Sequence, residues 1–470
     1  MATALVWLRR DLRLVDNPAL AKAIEDGYQP ILVYIHAPQE EQPWQPGAAS
    51  SVWLHYSLQQ LSLDIERLGG KLHIAAGDSL ANLLAFQQES NAQALYFNSL
   101  YEPTLLSRDN IIKQAFEKIG LPVQCFNSSL LIEPWYIQTG SGTPYKVFTP
   151  FWRNVSSQLQ IRPEYCAPTH LNAFDNITSL SLENLALLPA KNWHNSFWQH
   201  WQPGEAGAQE MLEIFCDSAI NGYKEQRNLP DRTGTSKLSP HLHFGEISVH
   251  QIWRKIKTIK SDENQAKDIT HFFSELGWRE FSLHLLHHFP HSTDHNLNPQ
   301  FQNFAWAEID PFLLEKWKRG QTGIPIVDAG MRELWHTGWM HNRVRMIVAS
   351  FLCKNLRYHW LEGARWFWDT LLDADLANNS QGWQWTAGTG CDAAPYFRIF
   401  NPVTQSARFD PKATYIKRWV PELSKLPVPL VFSPWTNPDV LQSLAPNYPS
   451  VPIVDLAHSR NQALAAYSNR

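Results

Sequence analysis

The chain has 470 residues, with 40 Lys+Arg against 44 Asp+Glu and a formal net charge of −4. A hydrophobic fraction of 44% with 18% charged residues excludes a disordered or fibrous chain, and the length accommodates two or three domains. No apolar run approaches the roughly 20 residues of a membrane span. The opening residues 1–8 meet Arg9-Arg10-Asp11 too soon for a signal h-region. Cys125, Cys166, Cys216, Cys353 and Cys391 are scattered with no CxxC, the usage expected in a reducing cytoplasm. Charge is unevenly placed. Residues 221–260 carry 8 basic and 3 acidic side chains and residues 330–420 carry 11 and 7, whereas residues 1–125 carry 9 and 13. Two basic stretches in an acidic chain point to a local anion-binding face. The 21 Trp, 23 Phe and 14 Tyr imply either a large aromatic core or a protein that handles a planar ligand or moves electrons.

In chain order, Leu5-Val6-Trp7-Leu8, residues 31–35, 71–75, 94–97 and 122–126 read as strands. Helical patterns cover 16–26, 50–68, 79–90 and 104–119, with Ser50 as N-cap of the second and Gly69-Gly70 ending it. This alternation predicts a Rossmann-like α/β domain with a parallel sheet over residues 1–127. It has no GxGxxG after its first strand, so no dinucleotide is assigned there. Residues 128–205, rich in Pro and Gly, read as an inter-domain connector with one short helix near 150–159. Residues 206–470 read as an all-helical domain, with segments at 206–220, 240–257, 266–288, 309–319, 325–336, 340–358, 363–374 and 375–385. A Pro-rich tail over 425–455 is expected to wrap the surface.

Four constellations stand out. Asp375, Asn379 and Trp383 recur at i, i+4, i+8, so on a helix they share one face. They are either a capped helix start followed by a core Trp, or a stripe suited to a planar heterocycle with hydrogen-bonding edges. Glu275, Trp278 and Arg279 also share a face. Glu275–Arg279 is an ordinary helix ion pair in one reading; in the other the trio offers an acceptor, a stacking surface and a bidentate anion donor. Trp339, Asn342, Arg345, Met346 and Ala349 form a third face, where an inward Arg needs Asp373 or Asp375 as partner. In residues 233–241, Ser239 is the expected N-cap and Pro240 the first helical residue; such a start can bind anions, though many bind nothing. His284, His287, His288, His291 and His295 lack an HExxH or nearby Cys and are read as core and surface residues, with no metal site.

Trp7-Leu-Arg-Arg-Asp-Leu-Arg13, Trp278-Arg-Glu-Phe281, Gly338-Trp-Met-His-Asn-Arg343, Gly382-Trp-Gln-Trp385 and Asp392-Ala-Ala-Pro-Tyr-Phe-Arg398-Ile-Phe-Asn-Pro402 together resemble the photolyase/cryptochrome family, in order over nearly the whole chain. Among its members the chain is most similar to bacterial enzymes that repair cyclobutane pyrimidine dimers. The resemblance implies an N-terminal α/β domain, a long connector and a C-terminal helical domain that holds FAD, reduced in the active form. It implies that Tyr223, Thr235, Ser236, Lys237, Leu238 and Ser239 contact phosphate and ribityl groups, with Arg279 a further phosphate contact and Phe272 part of an aromatic wall. Trp339, Asn342, Arg345, Asp373, Asp375 and Asn379 resemble the residues around isoalloxazine and adenine, Asn379 facing flavin N5. Glu275, Trp278, Asn342, Met346 and Trp385 would meet the lesion, and Arg227, Arg343 and Arg398 the DNA phosphates. Trp383, Trp360 and Trp306 match an electron-transfer chain, each with core packing as its rival role.

Lys237 stands where many relatives have Arg, and Phe272 where some have Trp. Glu102 matches a folate-contacting Glu, but Ser51 replaces an antenna-contacting Arg, which leaves the antenna as folate, deazaflavin or none. The expected activity is light-driven dimer repair in UV-damaged DNA by a cytoplasmic, membrane-free monomer. The alternatives are a cryptochrome photoreceptor, a (6-4) photoproduct enzyme, or a non-enzymatic nucleic-acid-binding module.

Overall fold

The computed structural model describes residues 2–469. Five apolar runs form β1 (Thr3–Leu8), β2 (Gln29–His36), β3 (Leu72–Ala76), β4 (Leu95–Asn98) and β5 (Val123–Phe126). They pair in parallel in the order β3-β2-β1-β4-β5, with Leu5 opposite both Ile31 and Leu95. The central strand β1 is buried along almost its whole length because helices cover both faces, which is why it reads as a continuous apolar run. Helices Pro18–Glu25, Ala48–Arg67, Ser79–Ser90 and Pro103–Lys118 supply the cover. Asn17 caps the first by accepting from the Leu20 N–H at 3.2 Å.

The sheet order reverses beside β1, where open α/β sheets commonly bind ligands. Here charged side chains crowd that end. Arg9 lies over the Trp7 and Phe97 rings and pairs with Asp109 at 2.6 Å, while Arg10 pairs with Glu41 and Glu102. A small cavity of about 60 Å³ lies among them.

Several sequence expectations need correction. Gly47, not Ser50, caps the second helix; Ser50 lies inside it and donates to the Gly47 carbonyl. The helix expected over 240–257 is two, Ser239–Phe244 and Val249–Lys257, broken at Gly245 with φ +66°. The expected 206–220 and 340–358 helices each change to a π-turn, at Phe215–Ala219 and Phe351–Asn355. The tail beyond 425 contains helices, ending in Leu456–Ser468, whose inward residues Ser459 and Ala463 give little apolar signal.

Gly245 also joins the two halves of the molecule. Arg13 donates to its carbonyl at 2.8 Å, and a Cβ there would overlap the Arg10 carbonyl oxygen. Trp53 adds a second link, donating from Nε1 to the buried Glu246 at 3.0 Å. Gly245→Ala is therefore expected to destabilise the protein by at least about 3 kcal/mol, through a left-handed backbone plus the clash. Thermal unfolding checks this, and a variant within 1 °C of the parent would refute the tight junction.

Candidate flavin and DNA-lesion site

Three helices, Glu263–His288, Asn342–Ser350 and Leu376–Ala387, pack around a cavity of about 590 Å³, within the range of cofactor pockets. The short helices Tyr223–Gln226 and Ser239–Phe244 close one side.

On Glu263–His288, Phe272, Glu275, Trp278 and Arg279 all line the cavity. The Glu275–Arg279 ion pair of the first sequence reading does not form. Glu275 instead takes a fork from Arg227, with Nη1 and Nη2 each 2.6 Å from a carboxylate oxygen. Burial raises the Glu275 carboxyl above its ordinary value, and Arg227 opposes that rise. Arg279 donates to the Ser129 carbonyl at 2.8 Å and lies 3.4 Å from the buried Glu280. Burial pushes Glu280 up to about 7, while it accepts from the Leu131 and Ile132 N–H groups. Residues 129–132 thus brace the wall that carries Arg279.

Tyr223, Thr235, Ser236, Lys237, Leu238 and Ser239 form the adjoining rim. Leu238, not Ser239, is the helix N-cap; Ser239 is the first helical residue, and its Oγ accepts from Trp339 Nε1 at 3.3 Å. Lys237 has φ +52° and sits 5.9 Å from the Trp339 ring centroid. Its partial burial lowers its ammonium below the ordinary value.

His341 caps Asn342–Ser350, its Nδ1 accepting from the Arg343 N–H at 3.2 Å. From this helix Asn342, Arg343, Arg345 and Met346 reach the cavity. Arg345 meets the expected kind of partner: Nη2 lies 2.8 and 3.1 Å from the two Asp373 oxygens, and Nε donates to the Met340 carbonyl. Arg343 instead donates to Asn228 at 2.6 Å. Asp375 caps Leu376–Ala387 through the Asn378 N–H at 2.8 Å, as in the capped-helix reading, and lines the cavity together with Asn379 and Trp383. Asn379 donates to the Ala364 carbonyl at 3.0 Å. Trp383 is packed so closely on Gly363 that a Cβ there would overlap its ring. Trp385 lies at the same wall.

Trp306, Trp360 and Arg398 are the three expected site residues that do not line the cavity. Trp360 is buried one turn before Gly363 and donates to Asn296 at 2.8 Å. His359 lies between it and Trp306, with ring centroids 5.6 Å and 5.1 Å away. Arg398 is exposed, beyond the cavity-lining residues 390–393. Sequence reasoning missed His243, which lines both cavities. Its position four residues after Ser239, on the same short helix, was the available signal. Its Nδ1 finds no partner among the described residues, and burial pushes the imidazole down to about 3.

The chemistry of this lining fits FAD. Lys237 and Arg279 are cations suited to a diphosphate, Trp339 and Phe272 are apolar walls, and the Arg345–Asp373 pair and Asn379 amide offer fixed polar groups. Residues 4–170 match the model of the DNA photolyase family, and residues 272–469 match that of the FAD binding domain of DNA photolyase. The chain is 45% identical to a deoxyribodipyrimidine photo-lyase of Agrobacterium fabrum over 99% of its own length and 98% of that protein's.

The chain belongs to the photolyase/cryptochrome family.

A crystal structure of a bacterial class III photolyase from Agrobacterium tumefaciens superposes with a TM-score of 0.94 at 44% identity, covering 100% of this chain and 98% of that one. Cryptochrome-1 of Arabidopsis thaliana is 37% identical over 99% of this chain and 70% of its own. The photolyase-type architecture, an α/β domain beside a helical FAD-binding domain, is therefore the fold of this chain. Among the described residues, no helix is long and apolar enough to cross a membrane.

Proposed function

We propose that this protein is a deoxyribodipyrimidine photo-lyase that splits cyclobutane pyrimidine dimers in UV-damaged DNA. The observation that carries this reading is a single cavity lined both by flavin-type contacts and by the fork-held carboxylate of Glu275 beside the Trp278 and Trp385 rings. Reduced FAD held in this cavity would supply, under blue or near-UV light, the one-electron donor that splitting of the cyclobutane ring requires.

The chain's own residues bind and orient. Trp278 and Trp385 give the extruded dimer apolar faces, and Glu275 accepts hydrogen bonds from its bases. Arg227, Arg343 and Arg398 meet the backbone phosphates, which makes affinity salt-dependent. Asn379 keeps its amide oxygen as acceptor because its nitrogen is committed to Ala364. Lys237 and Arg279 hold the cofactor diphosphate, and Arg345–Asp373 and Asp375 hold its ring systems. We take residues 1–127, 128–205 and 206–470 as the antenna-type domain, connector and catalytic domain of a cytoplasmic monomer.

Dimer-containing DNA is expected to be restored by the purified protein in blue light and left intact in darkness. Equal restoration in both would reject the reading. Flavin binding with no repair in either would favour the photoreceptor alternative. An absorption spectrum before and after denaturation identifies the flavin and any folate or deazaflavin antenna. Trp306→Phe is expected to slow photoreduction of oxidised flavin about tenfold or more, as when one step of a relay is lost, while sparing repair by enzyme already reduced. Unchanged photoreduction kinetics would remove Trp306 from the electron route.

A further inference from the structure

Lys354 is buried to 1% exposure in the π-turn Phe351–Asn355, which continues the cavity-wall helix Asn342–Ser350. The Leu356 N–H donates to the Phe351 carbonyl at 3.0 Å, the wide bond that rotates this turn relative to the helix before it. An ammonium in such a place is expensive, and a Met or Leu of similar volume would pack at lower cost. Burial indeed pushes it down to about 8, with Arg398 opposing its charge further and Cys353 acting the other way.

The ammonium has a specific contact. Lys354 Nζ donates to the Arg398 carbonyl at 3.1 Å and lies 5.3 Å from the Tyr396 ring centroid. A second tie runs from the same helical segment, where Ser350 Oγ accepts from the Phe400 N–H at 3.4 Å. At its other end the loop is anchored to the cavity wall by the Ala394 N–H donating to the Trp385 carbonyl at 3.1 Å. Residues 390–393 of this loop line the cavity, and Phe397 and Arg398 are exposed beyond it.

We propose that Lys354 is a positioning residue for DNA binding: its buried ammonium fixes the main chain at Arg398, so that this guanidinium is presented to the lesion strand in register with the cavity. The proposal rests on the repair reading above. It explains why a charge is retained where packing alone favours an apolar chain. Lys354 touches neither substrate nor cofactor and acts only through Arg398.

The test uses the flavin-loaded full chain and an oligonucleotide carrying one thymine dimer, with binding read by fluorescence anisotropy in the dark. Lys354→Met is expected to raise Kd about tenfold, the scale of one lost phosphate contact. Single-turnover repair at saturating DNA stays at the parent rate. In an Arg398→Ala background the same substitution adds no more than about twofold, because the two residues act as one unit. Lys354→Arg, which keeps the charge and donors, recovers most of the affinity. If the Met variant fails to hold flavin, Lys354→Gln replaces it, since its polar tip is one atom too short to reach the Arg398 carbonyl. An unchanged Kd, or an equal loss with and without Arg398, overturns the proposal. Wild-type protein that neither binds nor repairs the oligonucleotide would instead overturn the repair reading.

Discussion

Asp373→Ala protein is expected to purify with little or no flavin. Asp373 is the partner that lets a guanidinium stand in the cavity wall. Its side chain is 5% exposed, that of Arg345 is 23% exposed, and one Arg345 nitrogen spans both carboxylate oxygens. Removing one member of a buried pair costs roughly 3–5 kcal/mol, because the other charge is left without compensation. The partial exposure of Arg345 lets water recover some of that, so about 2–3 kcal/mol is the expected loss. If it falls on cofactor binding, the loss is about 30- to 150-fold in affinity. The freed Arg345 keeps its Nε bond to the Met340 carbonyl, so it is held in the wall rather than swinging out to solvent. Flavin content per chain and the Kd for added FAD measure the effect, with circular dichroism showing whether the helices persist. Asp373→Asn separates charge from shape, since it keeps the volume and loses the ion pair. An alanine variant that binds FAD with parental affinity would show that the pair braces the helix rather than serving the cofactor.

How far the sequence revealed this site depended on where each partner lies in the chain. The Asp375–Asn379–Trp383 stripe was legible because helix periodicity puts those side chains on one face, and the same arithmetic grouped Trp339, Asn342 and Arg345. The same arithmetic put Glu275, Trp278 and Arg279 on one face, and all three line the cavity, but it could not name the partner of Glu275. Arg279 is the obvious i+4 partner, but the carboxylate belongs to Arg227, 48 residues away, and only the folded chain brings them together. Gly245 was hidden for a similar reason. The apolar pattern runs on through residues 240–257, whereas the helix ends at Gly245 in the left-handed region, a residue with no room for a Cβ against the Arg10 backbone of the α/β domain. Ser239 was misplaced by one residue, a shift that leaves its hydroxyl to Trp339. The five strands were clear because each is a short, mostly apolar run between turn residues. The closing helix Leu456–Ser468 was not, because small residues form its inner face.

Glu275→Ala is expected to lower the repair yield by about tenfold or more while leaving flavin content intact, the scale of a hydrogen bond made by a charged group. Its carboxyl is subject to two opposing influences. Burial favours the neutral acid and raises its titration above the ordinary value; Arg227, by charge and by hydrogen bonding, and Arg343, by charge alone, favour the carboxylate. In the proposed function Arg227 also meets a DNA phosphate, so the guanidinium that holds the carboxylate in the free protein would be shared with the backbone in the complex. Taking Arg227 away leaves burial in place and removes the larger of the opposing charges. Arg227→Ala is therefore expected to move the ionisation of Glu275 to higher pH, and to move any Glu275-dependent limb of the repair pH profile in the same direction. Infrared difference spectra against Glu275→Gln report the protonated carboxyl directly. In the Arg227→Ala protein its band should persist to higher pH than in the parent. A band that vanishes at the same pH in both proteins would mean that Arg227 does not set the charge of Glu275, and the fork would then be no more than a surface-side brace between two helices.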